Sequence, residues 1–227
     1  MIPYSMNPLG IGQYYTDLDI LRQIRDANPT SQLPSLWLDS EDPYTQWEGV
    51  YWNVEKTYVA QISFESRNVT NLNKINKLKQ VSYISCRFNN GLTTLDISDM
   101  QSLIIINCAL CNIHQFKCSG STNITSMQIS ANKIVSLDIT GLTKINTLYV
   151  SRNLLTSITS LTSKNLIVDY DFTYNITDNN EIATKAIRLC LERIRKQTGK
   201  SIKHWFITEL GHEKTERLHL HGIVKVS

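Results

Sequence analysis

Five segments in the middle of the chain share one pattern and keep phase with one another. Val59-x-x-Ile62-x-Phe64, Val81-x-x-Ile84-x-Cys86, Leu103-x-x-Ile106-x-Cys108, Ile124-x-x-Met127-x-Ile129 and Ile145-x-x-Leu148-x-Val150 begin 22, 22, 21 and 21 residues apart. Three residues past the third apolar site stand Arg67, Asn89, Cys111, Asn132 and Asn153. Two further on come Val69, Gly91 (with Leu92 beside it), Ile113, Ile134 and Leu155. A strict internal period over about 100 residues excludes a single globular core. One unit cannot bury its own apolar face, whereas neighbours stacked in register bury a continuous one.

This pattern resembles the leucine-rich repeat family, LxxLxLxxN/CxL with a period of about 20–29 residues, in which cysteine is an accepted substitute in the asparagine column. The resemblance covers residues 59–165 and implies a curved solenoid of short parallel strands with a binding surface on its concave side. Each asparagine turns the chain after its strand and satisfies backbone groups of neighbouring coils. A second apolar pair, Leu95/Ile97, Phe116/Cys118 and Leu137/Ile139, forms the convex wall.

The residues between the apolar sites face the concave side: Gln61, Ser63 and Glu65; Tyr83, Ser85 and Arg87; Ile105, Asn107 and Ala109; Ser126, Gln128 and Ser130; Thr147, Tyr149 and Ser151. Most are small, neutral and polar. Tyr83, Arg87, Asn107, Gln128 and Tyr149 are the candidates to contact a protein partner, aromatic and arginine side chains being the usual anchors of interfaces.

A stack needs a lid on its first coil, and residues 1–58 are expected to supply it. Thr16 with Asp19 forms a capping-box-like start, Leu18, Ile20, Leu21 and Ile24 share one helical face, and Pro29 stops the helix. Trp47-Glu48-Gly49-Val50 resembles the amino-terminal caps that precede such repeats, and Trp37, Trp47, Tyr51 and Trp52 are read as its core.

After Leu155 the repeat weakens; a sixth copy runs through Val168 and Tyr170 only with Asn165 at its first apolar site. Residues 166–174 read as a strand. Asn179–Gln197 carries Ile182, Ala183, Ala186, Ile187, Cys190, Leu191 and Ile194 at helical spacing and ends before Gly199. Ser201–Glu209 and Leu218–Val226 read as a hairpin about a polar turn. The whole is expected to be α/β: a capped solenoid, then a partial β-α-β-β unit over 166–227.

Net charge is only +3, from 23 basic and 20 acidic residues. Its distribution is uneven. Lys185, Arg188, Arg193, Arg195, Lys196, Lys200 and Lys203 face a single acid, Glu192, within 19 residues, and four of the five histidines lie at or after position 204. His219-Leu220-His221 puts two imidazoles on one face of a strand. Glu209, across the turn, adds a carboxylate, and Gly222 allows close approach. Two imidazoles and a carboxylate suit Mg²⁺ or Mn²⁺ with positions left open for phosphate oxygens.

Residues 204–224, HWFITELGHEKTERLHLHGIV, resemble the HUH region of rolling-circle replication initiators, especially those of small single-stranded DNA phages (microviruses). The resemblance implies that His219 and His221 hold the metal, that Glu209 completes it, that Phe172-Thr173-Tyr174 is the first motif strand, and that the basic segment meets single-stranded DNA. It also exposes a departure. Such initiators place a nucleophilic tyrosine on a helix after HUH, and no tyrosine follows His221 here. Relaxase relatives place it before, which leaves Tyr170 and Tyr174 as substitutes; without one, nicking is not expected.

The five cysteines form no CxxC pair or disulfide framework and are expected to be buried apolar residues in a reducing compartment. No apolar run approaches the roughly 18 residues of a membrane span. The amino terminus has neither the basic start nor the apolar stretch of a signal peptide. A cytoplasmic protein is the expectation.

Overall fold

The computed structural model describes residues 16–155, 157–159, 166–173, 202–210 and 218–226, the last three of these stretches by their backbone pairing. Two short helices, α1 (Asp17–Asp26) and α2 (Leu33–Leu36), precede β1 (Val50–Trp52) and β2 (Val59–Ser63). Along the repeats, β3 (Tyr83–Ser85), β5 (Ile105–Asn107), β7 (Ser126–Gln128) and β9 (Thr147–Tyr149) alternate with β4 (Thr94–Asp96), β6 (Gln115–Lys117), β8 (Ser136–Asp138) and β10 (Ser157–Thr159). Then come β11 (Leu166–Thr173), β12 (Ile202–Leu210) and β13 (Leu218–Val226).

The repeats build a β-solenoid of about five turns, and all fifteen of their predicted apolar sites, Val59 through Val150, are at most 1% exposed. The expected solenoid is present, and the described residues are mostly β with few helices. A period of 21 or 22 residues leaves little chain for the return path. That path is three-residue strands, paired in parallel as β4–β6 and β8–β10, rather than helices. The expected helix at 179–197, with Lys185, Arg188, Arg193, Arg195 and Lys196, lies outside the described residues, as do Tyr174, Cys190 and Lys200.

After its concave-side strand each coil turns through a residue in the left-handed region, Ser66, Phe88, Leu110, Ala131 and Arg152, with φ of 57°, 58°, 57°, 53° and 54°. None is glycine, although a Cβ costs about 1 kcal/mol or more in that conformation. What holds them is the neighbouring coil: the Ser66, Phe88, Leu110 and Ala131 amides donate to the carbonyls of Arg87, Ala109, Ser130 and Ser151 at 3.0, 3.3, 3.0 and 2.8 Å. The next residue in each coil is the asparagine column. Asn89, Asn132 and Asn153 are buried. Cys111 keeps part of the same role, its Sγ donating to the Cys86 carbonyl at 3.0 Å. In the first coil Arg67 points outward to Gln32 and Glu48, and the buried amide comes from the cap instead. Asn28 donates to the carbonyls of Ile24 and Asn71 and accepts from the Thr70 and Asn71 amides.

The cap is built as its residues require. Thr16 and Asp19 form a reciprocal capping box on α1, and Ile20, Leu21 and Ile24 face inward. Asp17 accepts from the Val59 amide at 2.8 Å, tying the helix to the first parallel strand. Trp37 and Trp47 stack at 5.3 Å, and Trp37 lies 5.7 Å from Phe64 of the first coil. Tyr51, expected in this core, is 58% exposed. Gly49 has φ of 82°, and a Cβ there would collide with the Ser63 carbonyl, so the WEGV turn needs its glycine.

One nine-stranded sheet runs β1-β2-β3-β5-β7-β9-β11-β13-β12. Its middle is parallel and both ends are antiparallel: β1 against β2, then β11, β13 and β12 in turn. The cap and the closing unit thus occupy opposite edges of a single sheet. Val168 pairs with Leu148, the register of the sixth copy considered from sequence, although β11 runs on for eight residues.

Four cysteines, Cys86, Cys108, Cys111 and Cys118, are buried free thiols. The Cys108 thiol beside it pushes the Cys86 thiol up, the Cys86 thiol and burial do the same to Cys111, and burial pushes Cys118 up to about 12. Thiols need the thiolate form and access to react. In native buffer, peptide mapping after exposure to a thiol reagent should find these four unmodified, and all four labelled once the chain is unfolded. Labelling of any one of them within minutes in the native protein would mean that its coil opens locally.

Candidate functional site

Two surfaces carry the candidate residues. On the concave side of the coils, strand alternation leaves the residues between core sites outward, but they differ in freedom. Tyr83 and Gln128 are half-buried, and Tyr149 is 39% exposed. Asn107 is only 8% exposed and donates to Gln128 Oε1 at 2.9 Å, so its amide is committed to the neighbouring coil. Arg87 lies 3.6 Å from Glu65 and 4.8 Å over the ring of Phe88. Its Nε is buried with no hydrogen-bond partner.

Sequence pattern did not flag Phe88 and Leu110, which are 43% and 38% exposed because the left-handed turn puts them on the rim. Glycine would have signalled that turn; a bulky apolar residue does not.

The second surface is the closing triplet of strands, and its pairing register fixes which residues share a face. Glu209 pairs with His219 and Ile207 with His221 across β12 and β13. On the other side of β13, Thr173 pairs with His219 and Asp171 with His221. Residues directly opposite in an antiparallel pair lie on the same face, with Cβ atoms about 4.5–5.5 Å apart. Alternate residues of a strand lie on one face as well. One face therefore holds Ile167, Asp169, Asp171 and Thr173 of β11, His219, His221, Ile223 and Lys225 of β13, and Lys203, Trp205, Ile207 and Glu209 of β12. The other holds Leu166, Val168, Tyr170 and Phe172, then Leu218, Leu220, Gly222, Val224 and Val226, then Ile202, His204, Phe206, Thr208 and Leu210. Tyr170, opposite Gly222, belongs to this second face and not to the histidine face.

The faces continue into the solenoid. Val168 pairs with Leu148 of the core, and Asp169 pairs with Tyr149 of the concave side. The histidine-bearing face and the concave face are thus successive parts of one sheet surface, although the sequence presents them as two unrelated segments.

Glu209, His219 and His221 are brought to one place by register: an acid directly across from one imidazole, with the second two residues along, about 6.5–7 Å away. Among the residues whose side chains are described, no group of three or more His, Cys, Asp or Glu is placed to hold a metal ion. Among the described residues no helix is long and apolar enough to cross a membrane. No protein-family model and no curated protein sequence matches the chain.

Proposed function

We propose that this chain is a binding scaffold of the leucine-rich-repeat kind, with a divalent-cation site on its closing strands that resembles the HUH centre of rolling-circle replication initiators and engages phosphates of single-stranded DNA. The pairing of Glu209 with His219, with His221 on the same face, carries this reading. Lys203 and Lys225 are direct partners on that face, where they add positive charge for phosphate. Among the described positions of β11, β12 and β13 on this face there is no tyrosine, so the reading is one of binding without nicking, in which Mg²⁺ or Mn²⁺ would polarise a phosphodiester.

A second reading is supported by the pairing of β11 with β9: the closing strands cover the open edge of the last coil, as terminal units of a solenoid must. On that reading the concave face, with Tyr83 and Tyr149, holds a protein partner.

Titration with Mn²⁺, followed by calorimetry or by loss of the free-ion paramagnetic signal, separates the two. The native chain should bind one Mn²⁺, and H219A/H221A should lose at least about 100-fold in affinity while melting at the same temperature. A single-stranded oligonucleotide should bind with an affinity that falls steeply with salt, and it should remain uncut. If the double variant binds Mn²⁺ as the native chain does, the cation reading is wrong and only the covering role stands.

A further inference from the structure

We propose that Ser85, Arg87, Phe88 and Leu110 form a subsite on the concave side that takes a carboxylate side chain, with an apolar neighbour, from an extended acidic segment of a protein partner. This proposal rests on the second reading above, in which the concave face holds a protein, and it names the chemistry that protein presents.

Two polar groups here are left without partners. Among the described residues, the hydroxyl of Ser85 and Nε of Arg87 are both buried and neither makes a hydrogen bond. Ser85, only 1% exposed, is an exception in its column. Ser63 and Asn107, paired with it on the neighbouring coils, each accept from the amide two residues on, that of Glu65 at 3.5 Å and that of Ala109 at 3.4 Å. Strand alternation puts Arg87 on the same side as Ser85. A buried donor on a charged group that lacks an acceptor is a standing cost to the free chain. A ligand oxygen that supplied the acceptor would remove it.

Charge favours a carboxylate as that ligand. Arg87 Nη1 lies 3.6 Å from Glu65 Oε1, too far for a hydrogen bond, and the two side chains remain 36% and 40% exposed. A planar guanidinium can hold a carboxylate through two parallel N–H bonds, and Glu65 leaves that fork open. Between Glu65 and Asp96 the chain has five basic residues, Arg67, Lys74, Lys77, Lys79 and Arg87, and no acidic one.

The rim adds an apolar contact. Phe88 and Leu110 hold equivalent left-handed positions on adjacent coils and are 43% and 38% exposed. The Arg87 guanidinium lies 4.8 Å over the Phe88 ring, so cation and apolar rim are contiguous. A free anion would use only the first, whereas a peptide with an acid beside an apolar residue uses both.

The test is selection of a random dodecapeptide display library on the immobilised full chain. Enriched peptides, made synthetically, are then titrated against native, R87K, E65Q and Y149A forms, each verified as folded by circular dichroism melting. Enriched peptides should carry Asp or Glu beside Leu, Ile or Phe, and exchanging that acid for its amide should weaken binding about tenfold or more. Arg87→Lys keeps the charge and loses the fork, so it should weaken binding about fivefold or more. Glu65→Gln removes the competing acid and should tighten binding by about two- to fivefold.

Enriched peptides that lack an acid, or that bind R87K as tightly as the native chain, overturn the inference. If those same peptides lose affinity in Y149A, the protein-binding reading of the concave face survives without it. If no peptide is enriched, that reading and this extension of it fall together.

Discussion

Asn89→Ala should lower the stability of the chain by about 2–4 kcal/mol in urea or thermal unfolding, out of proportion to the few atoms removed. The side chain is fully buried, with both its oxygen and its nitrogen hydrogen-bonded to backbone. Its Oδ1 accepts from the Val69 amide at 2.8 Å, and its Nδ2 donates to the carbonyls of Phe64, Cys86 and Arg87 at 2.9, 2.9 and 3.2 Å. Alanine would strip the buried Val69 amide of this partner, at roughly 1–3 kcal/mol before relaxation, and would take one of two donors from each carbonyl, which keep the Arg67 amide, the Cys111 thiol and the Ser66 amide.

Because two of the partners, Val69 and Phe64, belong to the preceding coil, the damage falls on the interface between repeats. Unfolding should then lose cooperativity, with a lower denaturant slope than in the native chain. Asn132 repeats the geometry, accepting from the Ile113 amide and donating to Cys108 and Ile129, so Asn132→Ala should behave in the same way. A loss below about 1 kcal/mol would mean that water enters and replaces the amide.

Trp37→Ala should cost a comparable amount, about 3–5 kcal/mol, and lower the melting temperature by roughly 6–20 °C for a chain of this length. Trp37 is fully buried, stacked on Trp47 and packed against Phe64, so it is an aromatic anchor between the cap and the first coil. Its ring nitrogen donates to the Glu48 carbonyl at 2.9 Å. Its own carbonyl accepts from Arg25 Nη1 at 2.9 Å, which links the turn after α2 to α1. Removing the ring leaves a cavity where the cap meets the first coil. Trp37→Phe should recover most of the packing and still lose about 1–2 kcal/mol, because the Glu48 carbonyl is left unpaired. A variant with alanine at 37 that melts within a few degrees of the native chain would show that the cap contributes little to the stack.

The repeats were legible in the sequence because a period of 21 or 22 residues is a statement about packing: every apolar site recurs where the next coil needs it. The capping box at Thr16 and the burial of Trp37 and Trp47 were legible for similar local reasons. The left-handed column at Ser66, Phe88, Leu110, Ala131 and Arg152 was not, because its conformation is imposed by hydrogen bonds from the next coil and leaves no glycine signature. The role of Asn28 was hidden because it lies in the cap, outside the period, and meets the first coil only in the folded chain.

The candidate site divides along the same line. That His219 and His221 share a face follows from strand alternation alone. Which acids stand beside them depends on the pairing of β13 with β12 and β11, and no local pattern states that register. Glu209 was reached through a short turn that limits the choices. Asp171 was not, since nothing in its own segment says which strand will lie next to it.

The order β11-β13-β12 places the strand that is latest in the chain between two earlier ones. As the polypeptide emerges, the coils can settle one upon another, each finding a finished template already waiting. The last triplet has no such gradual route, since β12 has nothing to join until β13 slips in and bridges it to β11. The histidine pair thus gains both of its neighbouring strands only when the whole triplet has assembled.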